Sequence, residues 1–245
     1  MKHNYIFSEK EMYRMACSES GKLRKYMNMS SSQRRKSQYN NMHLMEGMSL
    51  SDKNDFPVLK PYRGRTDWEI HPYSNHNKLS GNNQALHFFM DDYKFSHALW
   101  ERLEQTTSNL LKFDCLFTPD YSLYVNVPQS LNKRNVYRSR FVGAFWQSIG
   151  NDVIPTFSWG NVDSLTYSLE GLPEGSVLAT CGTGIAESST AFRLWCYGMQ
   201  RVQEELCPKL IFVYGDPVTI PGFQTEIRFM ETVISKHFRQ HENRL

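Results

Sequence analysis

"SVLATCGTG" (176–184) and "KLIFVYGDP" (209–217) decide the fold. Each is a short apolar run that breaks into Gly and small polar residues, and between them "AESSTAFRLWCYGMQRVQEEL" (186–206) repeats its apolar residues at helical spacing. A strand that returns beside its predecessor through a helix is parallel to it, because a parallel return needs a crossover of a dozen or more residues.

The same plan extends outward. Upstream, "DVIPTFSWGN" (152–161) precedes "VDSLTYSLEGL" (162–172), where Asp163 or Ser164 could cap a helix and Gly171 end it. "FDCLFTPD" (113–120) precedes the amphipathic "NVYRSRFVGAFWQSIG" (135–150). "ALHFFM" (85–90) precedes a stretch with Phe95, Leu99, Leu103 and Leu110 at helical intervals. Downstream, "EIRFMETVISKHFRQ" (226–240) reads as a terminal helix. Strand then helix occurs five times, with strand starts near 85, 113, 153, 176 and 210. The uneven period excludes a repeat protein. The expected fold is α/β, a mostly parallel sheet, open or incomplete and barrel-like, with flanking helices and an irregular N-terminal extension.

Charge divides the chain at its beginning. Residues 1–50 hold nine Lys and Arg against four Glu and no Asp, while the whole 245-residue chain is only +3. The segment 21–40 has six basic residues, no acid and little branched aliphatic content, too little to offset its ordering entropy alone. Residues 1–55 are therefore expected to form a basic, flexible or partner-dependent arm, and 56–245 a single α/β domain. From Phe56 to about Asn83, Pro, Gly, Asn and aromatics suggest an ordered irregular wrap on that domain. Charges interrupt the first twenty residues, so no signal peptide is expected, and no apolar run reaches the roughly 20 residues of a membrane span. The expected workplace is the cytoplasm. Five cysteines without a CxxC pair fit neither a disulfide framework nor a zinc site.

In parallel α/β folds the loops leaving the carboxyl ends of the strands line the ligand crevice. Those ends carry Asp91 and Asp92; Asp120; Ser158, Trp159 and Asn161; Cys181, Gly182, Thr183 and Gly184; and Tyr214 and Asp216. Asp120 and Asp216 are the candidate catalytic carboxylates, suited to acid, base or hard-cation roles. Ser158, Trp159, Asn161, Gly182, Thr183, Gly184 and Tyr214 are the candidate ligand-binding residues. Turn and cap chemistry calls for the same small polar types, so each has a structural reading beside the functional one. Trp159 is either a stacking platform or a core residue under its loop. The Gly-Thr-Gly turn resembles an anion-binding nest but lacks both GxGxxG spacing and the GxxxxGK[ST] lysine. No histidine follows a strand end after residue 100, which disfavours Cys181 as a Cys–His nucleophile. Metal and cofactor stay unassigned.

The stretches "RSRFVGAFWQSIGNDVIPTFSWG" (138–160), "SLEGLPEGSVLATCGTG" (168–184) and "IFVYGDP" (211–217) resemble an uncharacterised α/β family of phages and mobile genetic elements, a domain of unknown function. That resemblance implies a phage, plasmid or prophage origin and supplies no catalytic residue. The leading expectation is a small polar ligand, such as a sugar, nucleotide or phosphorylated compound, bound at the strand ends. A second is nucleic-acid association through Lys22, Arg24, Lys25, Arg34, Arg35 and Lys36, interleaved with Tyr26 and Tyr39. A third is a non-catalytic factor that binds a host protein through the Met- and aromatic-rich region before residue 75.

Overall fold

The computed structural model describes residues 39–185 and 188–232. Four parallel strands, β1 (Glu69–Pro72), β2 (Gln84–His87), β3 (Cys115–Phe117) and β4 (Asp152–Ile154), pair in chain order. Three more, β5 (Val177–Cys181), β6 (Leu210–Tyr214) and β7 (Glu226–Met230), do the same. A parallel bridge from Thr156 to Ala179 joins the two sets. There Phe157 N–H donates to Ala179 O at 2.9 Å and Ala179 N–H to Pro155 O at 3.0 Å. The strands thus follow one another along a single arc from β1 to β7.

Both faces of the central strands are buried, which explains why they read as apolar runs rather than as alternations. Ala85, Cys115, Phe117, Ile154, Val177, Ala179, Leu210, Phe212 and Tyr214 form an inner cluster. Rings meet across this interior between strands that share no ladder. Phe89, just after β2, stacks on Tyr214 of β6 at 5.5 Å, and Phe117 of β3 lies 5.7 Å from Phe212 of β6. The intervening residues Leu86, Leu116, Val153, Leu178, Ile211 and Val213 point outward into two clusters shared with the helices. The crossovers are α1 (Leu103–Leu110), α2 (Gln129–Ser148), α3 (Leu165–Ser168) and α4 (Ser189–Leu206). A π-helical turn, His97–Glu101, leads into α1.

This is an α/β fold whose sheet curls into an incomplete barrel. Among the described residues β1 and β7 share no ladder, but Arg228 Nη1 on β7 donates to Thr66 Oγ1 at 2.8 Å and Thr66 O at 3.2 Å, bracing the seam. The five expected strands are present, and two more flank them. β7 corrects the expected terminal helix: its burial alternates, with Glu226 and Arg228 more exposed than Ile227, Phe229 and Met230, the period of a strand. The rest of that expected helix, beyond residue 232, lies outside the described residues.

Residues 40–62 lie on the domain. Leu44, Phe56, Leu59 and Tyr62 are buried. Asn41 Nδ2 donates to Trp100 O at 2.9 Å, and His43 Nε2 lies 2.7 Å from Glu104 Oε2. Glu170 accepts from Asn54 N at 2.9 Å and also bonds Ser51 Oγ. The six basic residues from Lys22 to Lys36 lie outside the described residues. No helix among the described residues is long and apolar enough to cross a membrane.

Candidate functional site

The carboxyl ends of β3 and β4 continue past their ladder as a hydroxyl clasp. Thr118 Oγ1 lies 2.7 Å from Thr156 Oγ1 and accepts from Thr156 N at 2.7 Å, while Thr156 Oγ1 donates to Thr118 O at 3.1 Å. Gly143 of α2 makes room for this corner, since a Cβ there would lie 2.5 Å from Thr118 Cγ2.

Beneath the clasp sits Arg140 of α2, only 2% exposed. Its guanidinium donates to Thr156 O at 2.9 Å, Ser168 O at 2.6 Å and Glu170 O at 3.2 Å. Burial pulls its pKa down to about 9, against the opposing influence of the Asp120 charge. Asp120 moves the other way. Burial, then the neighbouring Asp92 charge, push its carboxyl from 3.8 up to about 7, although Ser158 hydrogen-bonds to it and Arg140 attracts it. Part of the Asp120 side chain stays accessible while protein encloses the rest, and desolvation outweighs the attraction between the two groups. A carboxyl so placed exchanges its proton near neutral pH. Asp120, Ser139, Arg140, Ser158 and Ser168 line a cavity of about 10 Å³, the room of a single water. The Ser168 hydroxyl beside it is buried without a hydrogen-bond partner.

Ser158 also belongs to the next space outward, a pocket of about 200 Å³ lined by Trp159, Thr180, Cys181, Thr183, Ile185, Leu194 and Trp195 among others. Trp159 has two roles here. Its ring stacks on Phe157 at 5.9 Å and 11° and is only partly buried. It also presses on α4, where a Cβ at Gly198 would come within 2.2 Å of the indole. Trp159 is therefore anchored like a core residue and forms a pocket wall.

The remaining strand ends divide. Cys181 Sγ lies 3.0 Å from Thr183 Oγ1; burial, and then the Asp120 charge, raise its thiol above the ordinary value, so it stays protonated. Gly182 N–H is spent on Tyr214 O at 2.8 Å, and a Cβ on Gly182 would lie 2.9 Å from Val213 Cγ1, so this glycine serves close strand approach. Gly184 adopts φ +78° in the turn that follows. Asn161 is part of the turn into α3: its Oδ1 accepts from Ser164 N at 2.9 Å, and Ser164 Oγ accepts from Gly160 N at 3.0 Å. Tyr214 faces the barrel interior, against Phe89 and 4.9 Å from His87. Asp216 is exposed and lines neither space. Asp92 braces the β3–α2 loop by accepting from Ser122 Oγ at 2.9 Å, and Asp91 pairs with Lys94 at 2.8 Å. Among the described residues no three His, Cys, Asp or Glu side chains are grouped to hold a metal ion.

The structure thus joins Asp120, Ser158, Trp159, Cys181 and Thr183 through Ser158, and leaves Asn161, Tyr214 and Asp216 apart. It adds Arg140, Ser168 and Trp195. Trp195 was legible as the first of the apolar positions Trp195, Met199, Val202 and Leu206 on one face of α4. Arg140 shares its helix face with the small residues Gly143 and Ala144, a faint sign that this arginine points inward.

A family model described as Domain of unknown function (DUF4417) matches residues 49–231. The chain is 40% identical over 134 residues to "Gene 1 protein" of Mycobacterium phage L5, an overlap of 55% of this chain and 58% of that protein. It is 35% identical over 148 residues to "Gene 1 protein" of Mycobacterium phage D29, 60% of this chain and 54% of that protein. The chain therefore spans a little over half the length of these curated relatives. No solved structure matches it. Because the matched stretch contains every strand of the arc and both cavities at its mouth, the chain belongs to the DUF4417 family.

Proposed function

We propose that this phage-related protein binds a small polar, ring-bearing ligand at the carboxyl ends of β4 and β5, within a bacterial cytoplasm. The observation that carries the reading is Ser158, which lines both the pocket walled by Trp159 and the small cavity that holds Asp120 and Arg140. An aromatic wall supplies stacking area, and behind it stands a carboxyl able to gain or lose a proton near neutral pH. A volume of about 200 Å³ suits one ring rather than a dinucleotide, since pockets for drug-sized ligands run from roughly 300 Å³ upward. Sugars, nucleotides and other phosphorylated compounds are the candidate classes.

The test is a tryptophan-fluorescence and ligand-observed NMR screen of these classes, repeated with Trp159→Ala. A true ligand is expected to lose about 1–3 kcal/mol of affinity in the variant, the scale of one stacked ring. Binding that ignores the substitution would remove the pocket from the reading. A second reading, nucleic-acid association through the arm, is favoured by six basic residues and two tyrosines within twenty positions.

A further inference from the structure

The lining of the pocket narrows the ligand class. Its polar groups are the Ser158 and Thr183 hydroxyls, the Cys181 thiol and the Thr180 hydroxyl, the last already donating to Phe157 O at 2.8 Å. Its walls are Ile185, Leu194, Trp159 and Trp195, whose buried indole N–H has no partner. Among the described residues no Lys, Arg or His lines it. The nearest buried cation, Arg140, lies beyond Ser158 with its donors committed to three carbonyls. Asp120 lines the same small cavity as that cation, is hydrogen-bonded to Ser158, and is close enough for its charge to help raise the Cys181 thiol.

The Gly-Thr-Gly turn has two of its N–H groups in use, Gly182 on Tyr214 O and Thr183 on the Cys181 sulfur. The Gly182 N–H, which would head an anion nest, is held at 2.8 Å. The N-terminus of α4 borders the pocket at Ala191, whose N–H is already capped by Ser188 Oγ at 3.0 Å. On its own the partial positive charge at this helix end attracts an anion, and the Asp120 carboxylate, ionised at pH 8, opposes it from beside the pocket.

We infer that the pocket takes an uncharged ring bearing hydroxyl groups, such as a free monosaccharide or a nucleoside presents, and discriminates against the phosphorylated counterpart. This rests on the ligand-pocket reading above and removes the phosphorylated classes from it. A hydroxylated ring uses what the site offers: an indole face, hydroxyls that donate or accept, and no fixed counter-charge.

The experiment titrates the full-length chain with matched pairs at pH 8: adenosine, guanosine, cytidine, uridine and thymidine against their 5′-monophosphates, and glucose, galactose, ribose and N-acetylglucosamine against their sugar phosphates. The expected result is that at least one neutral member binds with Trp159-sensitive fluorescence, at least about tenfold more tightly than its phosphate. Which arm responds identifies the nucleoside or the sugar. Asp120→Asn, which removes the carboxylate charge, is expected to shrink that ratio several-fold. A phosphate that binds as tightly as its parent, or a ratio unchanged in Asp120→Asn, overturns the inference and leaves the pocket standing. If neither member of any pair binds in a Trp159-sensitive way, the pocket reading falls and the inference with it.

Discussion

Replacing Asp120 with Asn should change how the protein's stability depends on pH. The native fold holds the Asp120 carboxyl at about 7 against an ordinary 3.8, chiefly through burial. Between those values the folded chain keeps a proton that the unfolded chain releases, so stability falls as pH rises and levels off above about 7. The stability linked to this group is thus fully present below the ordinary carboxylate range and is lost on passing through the folded value. At about 1.4 kcal/mol per pH unit, the displacement from 3.8 to about 7 sets a ceiling of about 4 kcal/mol, which solvent at the accessible edge of the side chain lowers. Asn keeps the shape and a hydrogen-bonding oxygen for Ser158 but cannot ionise. The variant should match the parent near pH 4 and exceed it near pH 8. Other carboxylates, Glu170 among them, are held below their ordinary value by hydrogen bonds and pull the absolute curve the opposite way. The quantity to measure is therefore the difference between parent and variant in urea unfolding at pH 4.5, 6 and 8. A difference that does not grow with pH, or one that favours the parent at pH 8, refutes the placement of Asp120 in a desolvating site.

Gly198→Ala adds a Cβ that would lie 2.2 Å from the Trp159 ring. Although alanine is the better helix former by about 1 kcal/mol, displacement of the indole should leave a net loss of about 1–3 kcal/mol in thermal unfolding, with altered tryptophan emission. Arg140→Met fills much of the same space but leaves three carbonyls without their donor, so a loss of at least about 3 kcal/mol is expected in urea unfolding at pH 7. Removal of residues 1–38 should abolish salt-sensitive retention on nonspecific DNA or RNA; unchanged retention excludes the arm as the phosphate-binding element.

The central strands were legible because both of their faces are buried, so "VLAT" and "LIFVY" read as uninterrupted apolar runs. The flanking strands were not. β1 carries Glu69 and His71, and β7 carries Glu226 and Arg228, on residues that are at most partly buried. Edge strands of this kind lose the apolar signature that marks a central strand. In β7, Ile227 and Phe229 belong to "EIRFMETVISKHFRQ" (226–240), which reads as one terminal helix in the sequence. At the site, Ser158 and Trp159 stood out because a turn needs no tryptophan. Asn161 carries the same signature in the sequence, yet its amide is used within the turn. Arg140 was hidden because a helical arginine normally reads as solvent-facing; only the clasp formed by distant Thr118 and Thr156 reveals that its surroundings are carbonyls.

The order of the arc has a consequence for how the chain is made. Every ladder joins strands that are consecutive along the polypeptide. A ribosome releasing the chain from its N-terminus therefore presents each strand to a neighbour that has already emerged. No ladder strand has to wait for a distant partner, and the loop-closure entropy of each addition is limited to one crossover. The contacts that wait longest include the rings that meet across the interior, Phe89 with Tyr214 and Phe117 with Phe212, and the Arg228–Thr66 brace. These contacts form only after β6 and β7 have left the exit tunnel, so the first strands spend most of synthesis with their inner face uncovered. The concave side cannot close before β6 is made, so a nascent chain that ends before residue 210 is expected to present an open, apolar trough.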